Sequence, residues 1–105
     1  MITKKENTKQ RQFKGVSFDV LAVGEKSMLT KMNYKVGDKV PYHSHPNEQN
    51  GYVISGEYLI EYRQTKEIIK QGDSYSIPGN IEHSLKVIKA GEVIDVFTPP
   101  RKDYL

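Results

Sequence analysis

GDKVPYHSHPNEQNGYVISG, residues 37–56, decides how the rest of the chain is read. It carries two of the three histidines, His43 and His45, one residue apart. In an extended strand residues i and i+2 share a face, so two imidazoles at this spacing project side by side. That arrangement gives a metal ion its first two ligands. Gln49 follows a Pro46-Asn47 turn and offers an amide oxygen as a third donor. The remaining histidine, His83, lies in GDSYSIPGNIEHS, residues 72–84, a stretch with the same Gly/Pro turn chemistry. The expectation is that His83 returns to complete a four-ligand site.

Working outward, helix signals are nearly absent and short β-rich runs are punctuated by Gly-Asp, Ser-Gly, Pro-Gly and Ala-Gly. Strands are predicted at Val16–Val23, Met28–Val36, Lys39–His43, Gly51–Ser55, Glu57–Arg63, Glu67–Ile69, Ser74–Ile77, Glu82–Lys86 and Glu92–Phe97. Many short strands at this spacing make an all-β sandwich or barrel. GDKVPYH and GDSYSIPGNIEH form a weak internal echo. Tyr34, Tyr52, Tyr58, Tyr62 and Tyr75 read as barrel filling, and Tyr42 points away from its neighbour His43. Pro99-Pro100 ends the last strand, and the tail beyond is expected outside the barrel or against a partner.

Composition narrows the class. A chain of 105 residues, 36% apolar and 28% charged, supports one modest core. With no cysteine there is neither a disulfide framework nor a thiolate metal site. No apolar run approaches the roughly 20 residues of a membrane span, and MITKKENTKQRQ lacks a signal-peptide core, so a cytoplasmic location is expected. The net charge of +3 is concentrated in the first fourteen residues, which carry +4, leaving about −1 on the remainder. Residues 1–14 therefore read as a flexible basic segment and 15–105 as the single folded domain. Nucleic-acid binding would require a basic, aromatic-interleaved face on that domain, and none is evident.

Together the two Gly-Asp stretches resemble the motifs of the cupin family. Gly37, His43, His45, Gln49 and Gly56 fall on its first motif, with Gln49 where the family has Glu. Gly72, Pro78 and His83 fall on the second, with Asn80 replacing a Gly and Val87 the final Asn. The resemblance implies a double-stranded β-helix jelly roll and a metal on His43, His45, Gln49 and His83. A glutamine brings no charge, so the full +2 stays on the ion, which favours an anionic ligand and strengthens its Lewis acidity. Glu48, one position out of register, is a substitute ligand to consider. One divalent transition-metal ion is expected, from among Zn, Ni, Fe or Mn, with Cu also compatible with histidine ligands.

HSHPNEQ and the ending IDVFTPPRKDYL further resemble the small cupins of pectin and alginate breakdown, which linearise unsaturated uronates. That resemblance implies roles for Asp95, Phe97 and Arg101. From the residues alone, Val93, Asp95 and Phe97 share one strand face. A carboxylate turned inward is costly unless hydrogen-bonded, which suggests a polar pocket and an acid–base role. The same face could instead be solvated, or Asp95 could pair with a lysine. Arg101 could clamp a substrate carboxylate or lie idle in an exposed tail.

The resulting expectation is metal-dependent conversion of 4,5-unsaturated uronates from ring to linear keto form. Asp95 would move the proton, Arg101 would hold the carboxylate and Phe97 would shape the pocket. The alternatives are a metal-dependent dioxygenase of a small substrate and a non-catalytic metal- or sugar-binding protein. The partner is a small anionic sugar acid, with no nucleic acid or membrane. A homodimer is expected because a small jelly roll leaves sheet edges to cover.

Overall fold

Alternation of side chains along each strand sets what faces inward. In Met28–Tyr34 the buried residues are Met28, Thr30, Met32 and Tyr34; in Glu48–Val53 they are Gln49, Gly51 and Val53. The computed structural model describes residues 1–105. Its strands are β1 (Lys9–Phe13), β2 (Val16–Val23), β3 (Met28–Tyr34), β4 (Lys39–His43), β5 (Glu48–Val53), β6 (Glu57–Tyr62), β7 (Thr65–Lys70), β8 (Ser74–Ile77), β9 (His83–Lys89) and β10 (Gly91–Thr98). They form a six-stranded sheet, β1-β2-β3-β10-β5-β8, facing a four-stranded sheet, β4-β9-β6-β7. Every pairing is antiparallel. This is the expected jelly-roll barrel. Phe18, Met28, Val53, Tyr58, Ile77, Val93 and Phe97 are almost fully buried between the sheets. No helix is long and apolar enough to cross a membrane.

The internal echo is real at the level of its turns. Asp38 accepts a hydrogen bond from the Lys35 backbone N–H, and Asp73 accepts one from Lys70, both at 2.8 Å. The Asp38 and Asp73 amides donate back to the Lys35 and Lys70 carbonyls at 3.0 and 2.9 Å. Gly37 and Gly72 each supply the positive φ, 93° and 90°, that such a turn requires.

Four expectations change. Within the supposed flexible segment, Lys9–Phe13 is a strand paired with β2 from Lys9↔Val20 to Phe13↔Val16. KQRQF is too polar to read as a strand, but an edge strand needs only backbone partners and one anchor. Here the anchor is Phe13, with its ring centroid 5.3 Å from His43 and 5.7 Å from Tyr104. Tyr52 is not barrel filling; it is 51% exposed on the outer face of β5. The tail does not run along the outside, because Asn47 Nδ2 donates to the Pro99 carbonyl at 2.6 Å and turns it back. Tyr104 is then buried, 4.3 Å from the Phe18 ring and 5.4 Å from Phe97. Finally, β7 is longer than expected and β6 ends one residue earlier, since Tyr62 pairs with Thr65 across a two-residue turn.

That turn places Arg63 and Gln64 at φ of 51° and 72°. Positive φ at both positions is the geometry that Asn-Gly adopts without strain. Replacing Arg63-Gln64 by Asn-Gly should stabilise the fold by about 1 kcal/mol. The expected rise in thermal midpoint is about 4–8 °C, read by circular dichroism.

Candidate metal centre

β4 begins with Lys39 and Val40 opposite Lys86 and Leu85 of β9, and then the register slips so that His43 faces His83. Pro41, with no N–H to donate, and Tyr42 lie in the slipped segment. A bulge of this kind bends the strand and re-aims its side chains. Tyr42 is turned to solvent, where its hydroxyl donates to Glu61 at 2.7 Å, and His43 is turned in. His45 lies beyond the strand end, in the loop before β5. The two imidazoles converge as expected, although a bulge and a loop bring them together in place of one straight strand.

The ring centroids of His43, His45 and His83 lie 5.6, 4.3 and 5.0 Å apart, and one ligating nitrogen from each falls within 4.8 Å of the others. Each Nδ1 is bound to a backbone carbonyl: His43 to Pro41 at 3.0 Å, His45 to Asn47 at 2.9 Å and His83 to Ile81 at 2.8 Å. A carbonyl only accepts, so each Nδ1 carries the proton and each Nε2 presents a lone pair. Burial lowers all three imidazole pKa values below 6.5, and the Arg101 charge pushes the same way. The rings are therefore neutral at pH 7.

Two contacts show that this donor set fits a cation. His83 Nε2 is buried with no hydrogen-bond partner. His45 Nε2 lies 3.0 Å from Gln49 Oε1, two acceptors facing one another. A shared positive ion satisfies both, and neutral imidazoles suit a divalent transition metal. Gln49 points inward from β5, while Glu48, next to it, is exposed on the opposite face and stays out of the site.

The three residues expected at the ending also reach this cavity. Asp95, Phe97 and Arg101 line it together with His43, His83 and Gln49, around a space of about 30 Å³. Asp95 is 1% exposed, so the solvated alternative does not hold, and it pairs with no lysine. Burial pushes its carboxyl up to about 6, opposed by hydrogen bonds from Tyr75 and Gln49 and by the Arg101 charge. Phe97 is buried with its ring edge-on to His45, centroids 5.6 Å apart. Arg101 is not idle in an exposed tail; it is buried, and three of its N–H groups already bond Asp103 and Tyr104.

Tyr75, read from the sequence as barrel filling, also bonds Asp95, and neither that bond nor the part played by Gly51 was foreseen. Thr30, Asp95, Gly51 and Tyr75 stand in one row across β3, β10, β5 and β8. Gly51 has no side chain, so the Tyr75 ring lies across it where a Cβ would stand. The hydroxyl thus reaches over a whole strand to donate to Asp95 Oδ1 at 2.5 Å. An inward Gly beside Tyr and Asp was the only signal in the sequence. Reading it required the register of strands far apart in the chain.

The cupin-domain family matches residues 30–97. The chain is a cupin. No curated protein sequence matches it. Among solved structures it is similar to an RmlC-like cupin from Shewanella frigidimarina (25% identity, TM-score 0.90), covering 99% of this chain and 95% of that one. KdgF from Halomonas sp. shares 23% identity at TM-score 0.90, with the whole of both chains covered. Oxalate decarboxylase of Bacillus subtilis, a protein with Mn(II) centres, shares 20% identity at TM-score 0.84, over 95% of this cupin and 30% of that chain. The last two likenesses speak for the fold. The donor chemistry of the His43–His45–His83 cluster, in a cupin, suggests a divalent-metal site.

Three outcomes are expected of this cupin. Zinc or nickel at 100 times its dissociation constant should stabilise the chain by about 2.7 kcal/mol, and His83→Ala should abolish that gain in a thermal melt. Because all three imidazoles hold protons less well than free histidine, affinity should stay level from pH 8 down to about 6.5 and fall only below that. Gly51→Ala should destabilise by about 1–3 kcal/mol through the clash with Tyr75, and a crystal structure of the variant should show the Tyr75–Asp95 bond broken.

Proposed function

We propose that this cupin converts 4,5-unsaturated uronates from ring to linear keto form. The observation that carries the reading is a buried carboxyl, Asp95, sharing one small cavity with His43, His83 and the Arg101 guanidinium, with His45 clustered against those two imidazoles. The resemblance of HSHPNEQ and of the C-terminal ending to the uronate-linearising cupins supports it. His43, His45, His83 and Gln49 would hold one divalent ion. Bound there, it supplies Lewis acidity toward substrate oxygens and positive charge against a developing oxyanion.

The rest of the chemistry falls to the protein. Ring opening removes the proton from the anomeric hydroxyl, whose electron pair forms the aldehyde C=O as the bond to the ring oxygen breaks. The pair from that bond leaves an enolate across the ring oxygen, C5 and C4, and a proton delivered to C4 completes the ketone. Nothing is oxidised, and one proton is taken and one returned. Asp95 suits both halves, because burial lifts its carboxyl toward neutrality while Tyr75, bonded to Oδ1, orients it. Arg101 holds the substrate carboxylate, and Phe97 and Tyr104 exclude water from the barrel end. Donors for the dioxygenase alternative are poorer, since Glu48, the nearest carboxylate in sequence, points away.

Metal-loaded protein should accelerate loss of the conjugated double bond's ultraviolet absorbance in unsaturated galacturonate. A rate equal to buffer, with metal confirmed in the protein, would exclude the reaction. Asp95→Asn should lower kcat by about 10²–10⁴-fold with metal content unchanged. As proton acceptor Asp95 must be ionised, so kcat/KM should rise with pH through a group at or below about 6, the bound cation favouring the carboxylate.

A further inference from the structure

Arg101 stands between two spaces. On its inner side is the cavity of about 30 Å³ lined by Asp95, His43 and His83. On its outer side a groove of about 510 Å³ runs between residues 44–47 and 99–103. The inner space is small and walled by side chains, whereas the groove is broad and open to solvent. Arg101, His45, Lys102 and Asp103 all border the groove, so a ligand lying there is beside the Arg101–Asp103 pair.

The guanidinium is already engaged. Nε donates to Asp103 Oδ1 at 3.2 Å and Nη2 to Oδ2 at 2.7 Å, the two-point grip that arginine makes on a carboxylate. The pair is lopsided. Arg101's side chain is 6% exposed and Asp103's is 59%. The cation is fixed from several sides: Nη1 donates to the Tyr104 hydroxyl at 3.0 Å, and Cζ lies 4.0 Å from the Tyr104 ring centroid and 5.3 Å from that of Phe97. The anion has no hydrogen bond from any other side chain.

This asymmetry decides which partner can leave. An exposed carboxylate recovers its hydration on letting go, but a buried guanidinium without an anion is costly. Arg101 can therefore give up Asp103 only for another carboxylate. We propose that Asp103 is a resident counter-ion, exchanged on Arg101 for the carboxylate of a ligand arriving through the outer groove. The exchange leaves the buried charge neutralised throughout and selects acids over neutral analogues of the same shape. It deepens the sugar-acid reading of the site, on which it rests, and assigns Asp103 a specificity role.

The test is calorimetric titration of D-galacturonate and D-galactose into the metal-loaded full-length chain and its Asp103→Asn and Asp103→Ala variants, each checked by thermal melt. Galacturonate should bind both variants about tenfold more tightly than the unaltered chain, with no gain for galactose. Arg101→Gln combined with Asp103→Asn should lose the tightening. Unchanged or weaker galacturonate binding in the variants would overturn the exchange, as would an equal gain for galactose or no galacturonate binding by any form. Turnover of unsaturated galacturonate, assayed in parallel, separates the two readings. Turnover without tightening sinks the exchange alone, and tightening without turnover sinks the ring-opening reaction alone.

Discussion

The hydrogen bonds from the three imidazole Nδ1 atoms to backbone carbonyls are the constraint on which the site depends. Each is local, reaching a residue two positions away, so the backbone that carries the ring also sets its tautomer. Without these bonds a neutral imidazole could present an N–H to the centre, and one such proton would block a ligand position. With them, three lone pairs are aimed at one point, a mutually repulsive arrangement that only surrounding structure can enforce. The register of β4 against β9 does this for His43 and His83, and the loop anchored by Asn47 does it for His45.

Around that point the barrel interior is unusually polar. A jelly roll of this size would gain stability from an apolar side chain at position 95, because a buried carboxyl is costly unless it is well bonded. The chain meets the cost through a device that spans the sheet. Gly51 gives up its side chain so that Tyr75 can cross β5 and reach Asp95, and Asp95 in turn sits beside Gln49. One row of β3, β10, β5 and β8 is thus committed to holding a single carboxyl, while the rows on either side, with Val53, Val93 and Phe97, keep the sheets together.

Much of this was legible in the sequence where the information is local. Val16–Val23, Lys39–His43 and Ser74–Ile77 have the predicted bounds, since period-two alternation and Gly-Asp turns act within a few residues. The histidines and Gln49 were legible because their spacing is a motif. That Asp95 shares a face with Val93 and Phe97 was legible too, but whether that face is inward was settled only by the packing. What was not legible depends on distant pairing. β1 is polar and held by backbone bonds, and the β6–β7 turn uses Arg63-Gln64 where Asn or Gly would have announced it. The partnership of Tyr75 with Asp95 exists only once β8, β5 and β10 are in register. The Arg101–Asp103 pair is close in sequence, but its meaning lies in one partner being buried and the other not, and burial of a tail depends on where Tyr104 docks.

Glutamine at position 49 is then more than a neutral substitute for a carboxylate. Asp95 already sits with its carboxyl lifted to about 6 by burial. A second carboxylate at position 49 would stand beside it, and like charges in one dry cavity cannot both ionise comfortably. The pair would share a proton, and Asp95 could no longer titrate as an independent group. An amide avoids this and does something a glutamate cannot. Its amide lies beside Asp95 and works against the rise of that carboxyl's pKa, while its oxygen faces His45 Nε2. Gln49 therefore joins the donor cluster to the acid–base group through one rigid, uncharged link, and leaves Asp95 as the only carboxyl lining the cavity.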